Sequence, residues 1–199
     1  MYAYRRDSTS SPGIQRQRAR ADARKRRNVI AESLRRLIPR NIPVSIVTYD
    51  LDDGSLRHWE EDNFFGQDIL QHWNPHFVYV EGGNTFWLQH CLERSGKLKD
   101  LRNLLVGESS TTVYCGKSAG AIVAGARMDT ATWKQWDDPT VVPDRPTYQD
   151  WHKTSGMDLL GGISIFPHMT DEWTSRVVSQ TSTPDWGEGL PVLCLPDSR

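Results

Sequence analysis

Cysteine is scarce in this chain. The 199 residues hold three, Cys91, Cys115 and Cys194, an odd number with no close-spaced pair. That pattern excludes a disulfide framework and a cysteine-based zinc site, so no metal is expected and a reducing cytoplasm is the expected location. Long apolar runs are missing as well. No stretch approaches the ~20 residues that span a bilayer. Nor does an apolar core of roughly 7–15 residues follow a basic start, as it would in a secretory leader. No membrane partner is therefore expected. The chain has no internal repeats, and no cofactor is expected. Net charge is also small, −1, so there is no overall basic field of the kind that draws nucleic acid.

The charge that is present lies unevenly. Through Arg40 there are twelve Lys/Arg against three Asp/Glu, a local balance of +9, and the remainder carries −10. In the basic stretch Arg16–Arg36, Val29, Ile30 and Leu34 are interspersed among the charges. This predicts an amphipathic surface helix turning Val29, Ile30, Leu34 and Leu37 toward a sheet. An Arg- and Ser-rich, acid-poor start has two other readings, an organelle transit peptide or a nucleic-acid contact. No recognition motif accompanies the run, so no nucleic-acid partner is expected. Hydrophobic residues make up 37% and charged ones 25%, the balance of a globular domain. At this length one domain with a single core, 1–199, is expected.

Along the chain, strand-like and helix-like segments alternate. Val44–Tyr49 reads as a strand, followed by an acidic loop over 50–54 and a short helix over Ile69–Trp73. Phe77–Val80 is a β-branched and aromatic strand, Phe86–Leu92 has helical spacing, Lys97–Leu105 is a further helix, and a strand starts at Val113. The alternation predicts an α/β domain with a mostly parallel sheet and helices on both faces. Arg127–Met157 breaks the rhythm with Trp133, Trp136, Trp151, Asp137, Asp138 and three prolines. So long a connection is either a lid or specificity wall over a site, or an excursion packed by its own aromatics.

Three strand ends carry chemistry. Val113–Ala121 reads Val-Tyr-Cys-Gly-Lys-Ser-Ala-Gly-Ala, an apolar run into Gly-x-Ser-x-Gly and then small helix-compatible residues. Strand, sharp turn and helix in that order make a nucleophile elbow, which presents Ser118 outward on a strained turn. Cys115, a strand residue just upstream, is expected to be a buried thiol. Ile163–Asp171 ends a strand at Pro167-His168, and Val192–Asp197 ends another at Pro196-Asp197. A serine nucleophile needs a base, and the base needs a carboxylate to hold its tautomer. Ser118, His168 and Asp197 supply those roles. Asp171 is the rival acid, but it reads as the first turn of a helix over Asp171–Gln180. Upstream, Gly82-Gly83 after the Phe77 strand reads as a tight turn that would also bare a backbone amide at the carboxyl edge of the sheet, where ligands of open α/β sheets bind.

In this order and spacing, Gly-Gly-Asn-Thr-Phe, Gly-x-Ser-Ala-Gly-Ala, Pro-His-x-Thr-Asp and the terminal Leu-Pro-Asp resemble peptidase E, the aspartyl dipeptidases, to which cyanophycinases are related. The resemblance covers roughly Tyr2 to Asp197, and the four motifs together are specific where each singly is not. It implies a flavodoxin-like fold of the class I glutamine-amidotransferase-like kind. It also implies Ser118 as nucleophile, His168 as general base and acid, Asp197 as orienting acid, and the amides of Gly83 and Ala119 as the oxyanion hole. The chain departs from the pattern at Lys117, where an aromatic residue is usual, and at Phe166, where Asn is usual. Both ends look shortened against the family.

The expected function is that of a serine-type exopeptidase, cleaving short peptides, above all dipeptides with N-terminal Asp, through an acyl-enzyme. The short peptide is the expected partner. Asn84 at the mouth of the glycine turn is a candidate for the substrate amine or carbonyl. The cation meeting an acidic side chain would come from Lys117, Arg127, Lys134 or Lys153. Two alternatives stand beside this reading. One is a cyanophycinase-like hydrolase of β-aspartyl-arginine peptides with an acidic wall at Asp137 and Asp138. The other is a shortened, non-catalytic relative that serves as a binding domain.

Overall fold

The computed structural model describes residues 12–50, 55–58, 64–67, 75–107, 110–187 and 189–197. Residues 51–54 of the expected acidic loop and the helix expected over Ile69–Trp73 lie outside them. The chain divides into two compact units, Tyr2–Trp73 and Asn74–Arg199.

In the first unit, α1 runs from Pro12 to Arg36. Proline suits the opening position because its missing N–H has no intrahelical partner there anyway. Arg35 and Arg36 close the helix at the end that favours cations. Its sheltered stripe differs from the expected one. Ala31 is buried and Ile30 and Leu34 are half-buried, but Val29 and Leu37 are exposed. The 3.6-residue repeat puts 27, 30, 31 and 34 on one face and turns 29 away, and Leu37 lies past the last helical residue. Strands β1 (Val47–Asp50), β2 (Ser55–His58) and β3 (Phe64–Gln67) then form an antiparallel meander. The β1 strand was legible, displaced a few residues. The antiparallel pairing was not, because β2 and β3 are only four residues each, too short for a clear period.

The second unit has the expected α/β class, with parallel strands joined through helices. Strand β4 (Phe77–Val80) pairs in parallel with β5 (Val113–Gly116), Phe77 opposite Val113 and Val80 opposite Gly116. The crossover carries α2 (Thr85–Arg94) and α3 (Lys97–Val106). α2 starts where the Asn84 side-chain oxygen accepts the Trp87 N–H, an N-cap. It buries Thr85, Leu88, Gln89 and Leu92 at helical spacing.

Strand β6 (Ser164–Met169) pairs in parallel with β7 (Val192–Pro196). Between β5 and β6 come α4 (Ala119–Ala124) and α5 (Asp129–Trp133), and α6 (Thr174–Thr181) follows β6. Hydrogen bonding thus divides the parallel strands into two pairs, with α4 packed against both β5 and β6. Every residue of α4 is buried. The helix lies so close to β4 that a Cβ on Gly120 would stand 2.2 Å from the Val80 carbonyl oxygen. Only glycine fits there.

The Arg127–Met157 excursion packs its aromatics against the rest of this unit, Trp151 on Phe86 and Trp133 on Phe166. Met128, Trp133, Val142, Trp151 and Met157 are buried, and Trp133 joins Phe166 and Trp186 in a core cluster. Trp136 remains 61% exposed beside the site described below. Cys115 is exposed, contrary to the buried thiol expected. It shares one face of the β4–β5 pair with Phe77 and Val113, both exposed, whereas the opposite face meets α4.

Candidate active site

The turn from β5 to α4 holds Ser118 at φ 52°, ψ −111°. A non-glycine residue there costs roughly 1–3 kcal/mol, a strain that persists only where the surroundings over-determine it. They do so here. The Lys117 N–H donates to the Val80 carbonyl at 3.0 Å, and the Ser118 carbonyl accepts from Ala121 and Ile122 at 2.9 and 3.1 Å. On the other side, a Cβ added at Gly82 would lie 2.9 Å from Ser118 Cβ. The glycine turn after β4 therefore passes directly against the serine.

His168 comes from the end of β6, and its strand is bulged. Pro167 pairs with Leu195 and Met169 with Pro196, leaving His168 as the extra residue. Its φ is 55°. A bulge of this kind re-aims a side chain, and here the imidazole reaches two partners. Nε2 lies 3.0 Å from Ser118 Oγ, and Nδ1 lies 2.5 Å from Asp197 Oδ1. With the proton on Nδ1, the ring donates to the carboxylate and accepts from the serine hydroxyl. Asp197 follows the last residue of β7, so the parallel β6–β7 pair brings imidazole and carboxylate together. Asp171 sits instead in a 3-10 turn over Asp171–Trp173 that precedes α6.

The amide of Ala119 heads α4, where helical N–H groups lack intrahelical acceptors. Gly83, at φ 143°, follows the glycine packed on Ser118. A small cleft of about 50 Å³ opens beside Ser118 and His168, with Thr85, Lys134, Trp136 and Asp137 among its walls. The Asp137 carboxylate accepts from the Thr85 N–H at 2.9 Å and from the Thr85 hydroxyl at 2.5 Å. Burial pushes its carboxyl above the usual range, and the two Thr85 bonds oppose that shift. Asp138 does not line the cleft. It is exposed and accepts from the Thr140 N–H and hydroxyl, which hold its carboxyl below the usual range. The acidic wall expected at Asp137 and Asp138 is reduced to Asp137.

Asn84 is engaged within the protein. It is buried, its oxygen caps α2, and its NH₂ donates to the Asp138 carbonyl at 2.9 Å. The oxygen accepts the Trp87 N–H, and one of the two amide N–H groups is held by the Asp138 carbonyl. Lys117 is 54% exposed beside the Ser118 turn, with its ammonium 3.4 Å from Glu81 Oε1. Arg127 is committed to Asp129 through two nitrogens, at 3.0 and 2.7 Å, and stacks over Trp186. Lys153 reaches toward Asp185 at 3.9 Å. Of the four basic candidates, Lys134 is the one that lines the cleft. Burial lowers its ammonium from the ordinary lysine value, and the Asp197 carboxylate opposes the shift. The pattern Lys-x-Trp-Asp over 134–137, between Ser118 and His168 in the chain, was the available signal for this wall.

The chain is similar to known proteins. A peptidase E from Nostoc sp. (strain PCC 7120 / SAG 25.82 / UTEX 2576) is 41% identical over 70 residues, which is 35% of this chain and 26% of that protein. A solved protein from Listeria monocytogenes EGD-e, provisionally named peptidase E, is 25% identical with a TM-score of 0.41. That alignment covers 62% of this chain and 52% of the other. The chain therefore spans about a quarter of the one relative and about half of the other. The profile of peptidase family S51 matches residues 60–198, a span that takes in Ser118, His168 and Asp197. Over that span, most of its length, the chain belongs to peptidase family S51.

Proposed function

We propose that this chain is a serine-type peptidase of the peptidase E kind that cleaves short peptides, with dipeptides bearing N-terminal Asp as its substrates. The observation that carries the reading is the unbroken hydrogen-bond chain from Ser118 Oγ through the His168 ring to Asp197. Family membership and the peptidase E name of the Nostoc relative support it.

In this mechanism Ser118 Oγ attacks the scissile carbonyl carbon while His168 Nε2 takes the hydroxyl proton. Asp197 steadies the resulting imidazolium, and the amides of Gly83 and Ala119 hold the oxyanion. The C–N bond then breaks as His168 passes its proton to the leaving amine, and an acyl-enzyme remains on Ser118. Water adds to the ester carbonyl, giving a proton to His168, and the acid departs as that proton returns to Ser118 Oγ. Lys117, half-exposed next to the nucleophile, is the cation assigned to the acidic side chain.

One observation favours a second reading. A carboxylate in the cleft wall, Asp137, suits a cationic group, so a β-aspartyl-arginine peptide is the competing substrate. The test is hydrolysis of Asp-, Leu- and Arg-initiated dipeptides and of β-aspartyl-arginine by wild type and Ser118→Ala. Turnover of Asp-initiated dipeptides that vanishes in the variant is the expected result. Turnover confined to β-aspartyl-arginine moves the assignment to the second reading, and no turnover by folded protein sinks both.

A further inference from the structure

Lys134 caps the C-terminal end of α5. Its ammonium donates to the Pro167 carbonyl at 2.8 Å and to the His168 carbonyl at 2.6 Å. Successive peptide groups of a regular pleated strand face opposite ways, so one nitrogen does not ordinarily reach both. Here it does, because φ at His168 is 55°. That torsion lies between the two carbonyl carbons whose oxygens Lys134 holds. A clamp on both oxygens therefore restrains the one backbone angle that sets the direction of the imidazole.

The clamp is itself confined. The rings of Trp136, Phe166 and Trp173 stand 4.3, 4.4 and 5.1 Å from the same nitrogen, within the ~6 Å at which a cation is attracted to a ring face. Two of the three N–H donors of the ammonium are engaged by the carbonyls. The arrangement differs from that of a free cation waiting for a ligand.

We infer that Lys134 is a positioning residue, which holds His168 in its strained bulge and so keeps the ring in register with both Ser118 and Asp197. The inference rests on the reading of Ser118 and His168 as nucleophile and base. A strained strand end relaxes toward ordinary β geometry once its restraint is removed. In this strand such relaxation rotates the ring away from one partner or both. A displacement of about 1 Å at a reacting group can cost on the order of 100-fold in rate.

The experiment compares wild type with Lys134→Met and Lys134→Arg in the full chain. Three readouts are taken: the low-field proton resonance of His168 Nδ1–H, the rate of Ser118 labelling by a simple phosphonate ester, and kcat and KM on the best peptide. Lys134→Met is expected to lose the resonance and to fall roughly 100-fold in labelling rate and kcat with KM unchanged. Lys134→Arg should restore them, since a guanidinium can reach two carbonyls and stack on rings. Lys134→Leu, which likewise has no donor, replaces Met if the melting curve shows that variant unfolded.

An unchanged resonance and labelling rate in folded Lys134→Met would overturn the inference. So would an effect confined to KM for acidic peptides, which would make Lys134 a reader of substrate. The resonance needs no substrate, and this separates the two levels of the argument. Its loss in Lys134→Met alone upholds the positioning role even if wild type proves inert to peptide and phosphonate, in which case the peptidase reading fails by itself.

Discussion

His168 Nδ1 stands 2.5 Å from Asp197 Oδ1, yet the Asp197 side chain is 70% exposed. Short contact and open surroundings pull in different directions. The bond fixes the tautomer and orientation of the ring, and solvent weakens the field of the carboxylate. Replacing Asp197 with Asn keeps the shape but allows the amide to donate to Nδ1, which favours the wrong tautomer. With wild-type turnover as reference, Asp197→Asn should lower kcat by about 10³- to 10⁴-fold, checked by steady-state kinetics. A loss below about tenfold would show that another group orients His168.

The backbone around the serine yields a pair of stability changes with opposite signs. Ser118→Gly relieves the positive φ, a strain of roughly 1–3 kcal/mol. It also loosens the unfolded chain, which offsets about 0.4–1 kcal/mol. The expected net is a gain on the order of 1 kcal/mol, or roughly 2–4 °C in Tm at this size, with activity abolished. Gly120→Ala should do the reverse, because its new Cβ would fall 2.2 Å from the Val80 carbonyl oxygen. Overpacking of this sort costs about 1–3 kcal/mol. Thermal melts of the two variants beside wild type check both signs.

Asp137 links stability to pH. Burial raises its carboxyl above the ordinary value of 3.8, so the folded chain holds that proton more tightly than the unfolded chain does. Stability contributed by the protonated form is then lost as pH rises from about 3.8 through the raised folded value, and it is constant above it. Asp137→Asn lacks this titration. The Tm of wild type minus that of Asp137→Asn should therefore be most favourable to wild type at the acidic end of the folded range and shrink with rising pH. A difference that grows with pH would mean that the two Thr85 bonds outweigh desolvation.

How much of this could be read from the chain differs from element to element. The elbow at Ser118 was legible because its cause is local. An apolar strand must end, small residues must start the helix, and glycine must stand where backbones touch. The Asn84 cap is just as local, yet the sequence singled the residue out for a substrate and not for the cap. The same side chain can cap a helix or face a ligand, and which it does depends on the chain around it. Lys134 was one of four basic candidates with nothing to separate it. Its distinction is that residues 33 and 34 positions later turn their carbonyls toward it.

The sequence by itself determined the strand–turn–helix junctions, the class of the second unit and the chemical types at its strand ends. Those follow from hydrophobic period, turn chemistry and backbone sterics, which act over a few residues. The parallel register of β6 on β7 decided that Asp197, and not Asp171, meets His168. The same pairing left His168 as a bulged residue at positive φ, and packing of the 127–157 excursion brought Lys134, Trp136 and Asp137 to the cleft beside it. Register and packing are sums over contacts distant in sequence, so no local pattern encodes them and only the folded chain resolves them.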